Sequence, residues 1–146
     1  MKLTEYTDYT LRTLIYLGAH HGELVTIQQI ADAYGLSKNH LMKIVHQLAV
    51  DGVVETTRGR SGGVRLTRAP GEIGLGAVIR DAEEDFGLVE CFGNREVRCS
   101  LAPACRLKGI FQEALQAFFA VLDGYSLADV LDNPDLVRPL VTLQPR

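Results

Sequence analysis

The sequence has no apolar run approaching the roughly 20 residues that span a bilayer. Its start, Met1-Lys2-Leu3-Thr4-Glu5-Tyr6-Thr7-Asp8, has no apolar signal region and brings acids early. A cytoplasmic chain with no membrane partner is expected. No phosphate-binding glycine loop and no nucleophile motif is present, so no enzyme class is expected. Internal repeats and low-complexity tracts are absent. Cysteine is scarce: three residues, all between 91 and 105. An odd count in a cytosolic chain argues against a disulfide framework. Positive charge is short overall, with a net charge of −3, which taken alone disfavours nucleic acid.

The distribution of charge points the other way. Residues 1–70 carry eight Lys/Arg against six Asp/Glu, whereas 71–146 carry seven against twelve. Within 38–68 six basic residues (Lys38, Lys43, Arg58, Arg60, Arg65, Arg68) face two acids, Asp51 and Glu55. A local basic face matters more for phosphate contact than the total does. The chain has 146 residues, 47% of them hydrophobic, enough for one globular core.

Thr4 or Thr7 can cap a first helix to about Ala19, with Leu11, Leu14, Ile15 and Gly18 as its apolar face. Thr26 opens a second helix through a Thr-x-x-Gln capping box with Gln29. Ile27, Ile30, Ala31 and Tyr34 form its stripe, and Gly35 breaks it. Ser37 caps a third helix, in which Leu41, Ile44, Val45 and Leu48 repeat at helical spacing up to Asp51-Gly52. Two short helices joined by a tight glycine turn make a helix-turn-helix.

Strand-like Val53-Val54-Glu55-Thr56-Thr57, the loop Arg58-Gly59-Arg60-Ser61-Gly62-Gly63 and returning Val64–Thr67 then form a hairpin. A hairpin directly after a helix-turn-helix is a wing. The second helix of such a unit enters the major groove by its start, which here carries Ser37, Lys38, Asn39, His40 and Lys43. Asn reads adenine and Lys reads guanine. Arg58, Arg60 and Arg65 suit the negative potential of a minor groove. His46, deeper on the helix, is expected to be structural, and His20 and His21 to be helix-end residues.

A short helix over Leu75–Ala82 follows. The stretch from about Glu83 to Pro103 has acids, Gly and Pro and reads as a loop containing Cys91 and Cys99. From Ala104 the chain is helical again: Leu107, Ile110, Phe111, Ala114, Leu115, Phe118, Val121 and Leu122 step by three and four. Ser126 and Asp129 cap a last short helix, and the tail from Asn133, with three prolines, is expected to be irregular. The fold class is mainly α with a small β-wing. The spacing Cys91-x7-Cys99-x5-Cys105 is neither a Cys-x2-Cys zinc ribbon nor a ferredoxin run. Thiolates are soft ligands for iron–sulfur clusters, Zn or Cu(I), and three leave one coordination position to fill.

Together, several stretches resemble the small winged-helix iron–sulfur transcriptional regulators, and among them the nitric oxide-sensing repressors. They are Leu3-Thr4-x-x-Thr7-Asp8-Tyr9-x-Leu11-Arg12, the helix-turn-helix from Thr26, Gly52-Val53-Val54-Glu55, the wing, the cysteine trio and Cys105-Arg106-Leu107. The resemblance runs to about Leu131. It implies a winged helix-turn-helix plus a long dimerisation helix, with 1–70 binding DNA and 71–103 holding a connecting helix and cluster loop. Residues 104–131 would form the dimerisation and capping helices, and 132–146 a tail. It further implies a cluster on Cys91, Cys99 and Cys105, a 4Fe-4S centre with 2Fe-2S as the alternative. Its last ligand would be Asp8 from the partner subunit, with Arg12, one turn on, supporting Asp8. The seven-residue first gap is longer than that pattern leads one to expect. The histidine that cluster-biogenesis members carry after the last cysteine is replaced by Leu107 and Lys108. The functional expectation is a homodimeric repressor on a roughly palindromic duplex, answering nitric oxide. Its rivals are a general redox or cluster-status regulator of the same fold and a zinc-stabilised winged-helix module.

Overall fold

The computed structural model describes residues 2–92, 99–101 and 104–142. Parts of the expected cluster loop, 93–98 and 102–103, and the last four residues lie outside the described residues. Seven helices and one two-stranded sheet are found among those described.

Thr4 caps α1 (Glu5–Ala19), its hydroxyl accepting from the Thr7 N–H at 3.3 Å. The buried side of α1 is rotated from the expected one. Thr7, Thr10, Thr13, Leu14, Tyr16 and Leu17 are buried, whereas Leu11 and Ile15 are half-exposed. The threonines tolerate burial because their hydroxyls are satisfied locally, that of Thr7 by the Thr4 hydroxyl at 3.1 Å and the other two by the helix backbone. Thr10 donates to the Tyr6 carbonyl at 2.8 Å and Thr13 to the Tyr9 carbonyl at 2.7 Å, leaving each methyl to the core. An apolar count along α1 misses this.

The helix-turn-helix is formed as expected. In the capping box of α2 (Ile27–Tyr34), the Gln29 N–H donates to the Thr26 hydroxyl at 3.2 Å and the Thr26 N–H to Gln29 Oε1 at 2.8 Å. Gly35 closes α2 at φ +64°, a left-handed conformation that suits glycine. Helix α3 (Lys38–Val50) then buries Leu41, Ile44, Val45 and Leu48.

Strands β1 (Val54–Thr57) and β2 (Gly63–Leu66) pair antiparallel, with Val54 opposite Leu66 and Thr57 opposite Gly63. Val25, just ahead of α2, exchanges both backbone hydrogen bonds with Val64, at 2.9 and 2.7 Å. The wing root is thereby tied to the helix-turn-helix, and Val25, Val54 and Val64 are buried there.

A 3-10 turn at Pro70–Glu72 leads to α4 (Leu75–Ala82), within the expected bounds. Cys91 lies in a second 3-10 turn, Glu90–Phe92, rather than in open loop. Helix α5 (Arg106–Asp123) docks on α4 along one edge. Arg80 grips Asp123 through two hydrogen bonds of 2.7 Å and lies over the Phe119 ring, 4.2 Å from its centroid. Phe119 in turn meets Phe86 edge-on. The Arg80 hydrogen bond holds the Asp123 carboxyl below the usual carboxylate range.

Helix α6 (Leu127–Leu131) starts at the Ser126–Asp129 box and sets Leu127 and Leu131 against Gly18 of α1. The tail is not irregular as expected: it forms α7 (Pro134–Thr142). Pro134 stands at the first helical position, where a missing N–H costs nothing. Asn133 caps that end, its Oδ1 accepting from Asp135 N–H at 3.0 Å. Leu140 is buried and Leu136 and Val137 half-buried, a 1–2–5 spacing that packing rewards despite Pro139. No helix among the described residues is long and apolar enough to cross a membrane.

Candidate nucleic-acid interface and cysteine segment

At 100° per residue, the buried residues of α3 (Leu41, Ile44, Val45, Leu48) share one side of the helix. Asn39, Met42, Lys43 and His46 fall on the opposite side, and all four are exposed. Lys38 and His40 flank this stripe on either side, and Ser37 is exposed at the N-cap with no side-chain capping bond. His46, expected to be structural, is therefore an outward residue. Met42 was not singled out by sequence. Subtracting the core stripe from the helix would have found both.

His40 turns toward α1. Its ring lies 6.4 Å from that of Tyr9, across a cleft of about 280 Å³ lined by Glu5, Tyr6, Tyr9, His40, Lys43 and Ile44. The Arg12 guanidinium stands 6.0 Å from the Tyr9 ring centroid on the same helix. His20 stacks on Tyr16 at the other end of α1, in keeping with a helix-end role.

The wing tip needs its glycines for two different reasons. Gly59 has φ +109°, which side chains rarely adopt. A Cβ at Gly62 would overlap the Thr57 carbonyl oxygen, a backbone atom that cannot swing aside. Arg58, Arg60 and Ser61 are exposed on this tip. Neither Arg58 nor Arg60 forms an ion pair among the described residues. Arg65 does: it stands opposite Glu55 in the register and donates its Nε–H to Glu55 Oε1. The expected wing arginines are thus of two kinds, two uncommitted and one paired.

The three cysteines are free thiols. Cys91 and Cys105 are half-buried and Cys99 is exposed. Cys105 is the N-cap of α5, where the helix dipole favours an anionic group such as a thiolate-ligated cluster. Three unpaired thiols on one segment are a soft donor set that fits an iron–sulfur cluster. Among the described residues no three Cys, His, Asp or Glu side chains converge as a ligand group. Asp8 is far along the chain on α1, half-exposed, with its Oδ2 2.8 Å from Arg12 Nη2. The expected i, i+4 pair is present. Arg12 also lies near Tyr34, whose phenol burial pushes up to about 12.

One residue of the apolar stripe of α5, Phe111, meets Phe92 edge-on at 6.5 Å, but the stripe is not what docks the helix on α4. Phe119 and Asp123 do that, from an edge about 110–150° around from the stripe's centre. Leu107, Ile110 and Val121 are 57%, 50% and 63% exposed. Phe111, Leu115, Phe118 and Leu122 are half-buried.

A family model described as Rrf2, iron-dependent transcriptional regulator, matches residues 3–133. The HTH-type transcriptional regulator NsrR of Bacillus licheniformis is 52% identical over 143 residues, covering 97% of this chain and all of the relative. NsrR of Bacillus subtilis is 49% identical over 145 residues, 99% of each chain. Among solved structures, T. potens IscR superposes with a TM-score of 0.70 at 28% identity, over 90% of this chain and 87% of that one. CymR, the global cysteine regulator of B. subtilis, superposes with a TM-score of 0.68 at 29% identity, over 89% and 95%.

Proposed function

The chain belongs to the Rrf2 family of iron-dependent transcriptional regulators, and from that premise we propose that it is a homodimeric repressor sensing nitric oxide through an iron–sulfur cluster. That it is a DNA-binding transcriptional regulator rather than an enzyme follows from its family and curated relatives. The finer reading rests above all on three free thiols clustered just ahead of a helix whose apolar stripe leaves Leu107, Ile110 and Val121 exposed.

In this proposal Ser37, Lys38, Asn39, His40 and Lys43 enter the major groove. Arg58, Arg60 and Ser61 reach the adjoining backbone and minor groove, with Arg65 at their base. The α5 stripes of two copies face each other. Cys91, Cys99 and Cys105 hold the cluster, and Asp8 of the partner subunit supplies the remaining ligand. When bound, the cluster would supply iron that can take nitric oxide as a ligand. A carboxylate among thiolates is the hard, weakly held member of the set. An Asp8 not held by a cluster would pair with Arg12 on its own helix, at the 2.8 Å found between them. Arg12 stands beside Tyr9, and Tyr9 faces His40 at the start of α3. In this reading a change at Asp8 would reach the helix that reads DNA through Arg12, Tyr9 and the Tyr9–His40 cleft.

The test is duplex binding by anaerobically purified protein, using a duplex enriched from a random-sequence pool, before and after nitric oxide. Affinity is expected to fall at least tenfold on exposure. Asp8→Ala is expected to keep bound cluster but to change this response. An Asp8→Ala protein identical to wild type in cluster content and response would refute the cross-subunit ligand.

A further inference from the structure

We infer that Met42 is a specificity-determining residue that reads a thymine methyl group in the major groove. The inference rests on the DNA-reading assignment of α3.

An exposed methionine is ordinary on a protein surface. Met42 is distinguished by its place. It is 51% exposed in the second turn of α3, on the side opposite Leu41, Ile44, Val45 and Leu48. Its neighbours on that side are Asn39 one turn before, Lys43 beside it and His46 one turn after, all exposed. The stripe is therefore polar or basic except at Met42, until Val50 at the far end of the helix. Recognition helices contact bases with their first turns, which leaves Met42 as the one apolar group in reading position.

The major groove offers polar base edges and a single apolar feature, the C5-methyl of thymine. Asn39 and Lys43 match the polar edges of adenine and guanine. A methionine placed between them offers a base only a weak thioether acceptor, and its apolar surface is best compensated against another apolar group. Its unbranched, polarisable side chain adapts to a methyl without strain. The half-site is thus expected to hold a thymine next to the bases that Asn39 and Lys43 reach. Such a contact gives discrimination by methyl content, which no charged or amide side chain on α3 supplies.

The experiment uses the full-length anaerobic protein and duplexes enriched from a random-sequence pool. Each thymine of the enriched half-site is replaced in turn by deoxyuridine, which removes only the methyl. Wild type is expected to lose roughly fourfold in affinity at one position per half-site, the size of one buried methyl. Met42→Ala is expected to bind the thymine and uracil duplexes equally at that position, and Met42→Leu to retain the preference. Indifference of wild type to every replacement would overturn the inference while leaving DNA binding intact. So would a Met42→Ala protein that still discriminates. Failure to enrich any duplex would overturn the DNA-reading assignment of α3 and the inference with it.

Discussion

Arg60 and Arg65 carry the same charge five residues apart, and their surroundings set them different tasks. Arg60 is exposed at the wing tip and unpaired among the described residues, whereas Arg65 is engaged by Glu55 across the hairpin. Arg60→Ala, which removes a cation placed to contact phosphate, should weaken binding across all sequences. It should also flatten the dependence of log K on log salt by about one. Arg65→Ala is expected to leave that slope closer to wild type, because Arg65 already has a carboxylate partner. Affinity measured across a salt series checks this, and equal slopes for the two variants would show that the ion pair does not matter. Sequence shows such charges without their partners. Glu55 meets Arg65 only because the register sets them opposite each other. Thr7, Thr10 and Thr13 make the same point for burial. Their composition reads as polar, but two of the three hydroxyls are spent on helix carbonyls, and all three side chains face the core.

Elements were legible where their signals are local. The Thr26–Gln29 box, the Gly35 stop and the Leu41–Leu48 stripe each lie within a few residues. The structure places α2 and α3 where they indicate. The box is expected to carry stability accordingly. Thr26→Ala should cost about 1 kcal/mol, read as a lower urea midpoint with unchanged slope. A midpoint identical to wild type would mean that tertiary contacts alone fix the start of α2. Legibility fails where an element depends on distant packing. Helix α7 holds two of the three tail prolines, and its reason to fold is Leu140 buried against the body of the chain. For α5 the spacing identifies which residues share a face but not what covers that face. The stripe that reads as core is half exposed, with Leu107, Ile110 and Val121 open and Phe111, Leu115, Phe118 and Leu122 half-buried, and the docking on α4 is done by Phe119 and Asp123.

At the scale of the whole molecule, that half-exposed stripe is the strongest reason to expect two copies. Fully burying side chains such as Leu107, Ile110 and Val121 is worth about 1.5–3 kcal/mol each. Ile110→Asp is expected to shift the protein from dimer to monomer in sedimentation while preserving its helical signal, since Ile110 is 50% exposed and lies more than two turns from Phe119 and Asp123. A monomeric wild type would remove the dimer from the proposal. In the proposed sensor, Cys91, Cys99 and Cys105 hold the iron–sulfur cluster that answers nitric oxide. Spacing could suggest a soft-metal site but not its occupant, because the same three thiols suit zinc. The decisive measurement is the visible absorption spectrum of the anaerobically purified protein, with iron and acid-labile sulfide assayed, for wild type and Cys99→Ser. A broad sulfur-to-iron band in wild type that bleaches with nitric oxide, and is lost or greatly weakened in Cys99→Ser, is the expected result. A colourless wild type after anaerobic reconstitution, or one holding zinc without sulfide, would contradict the claim.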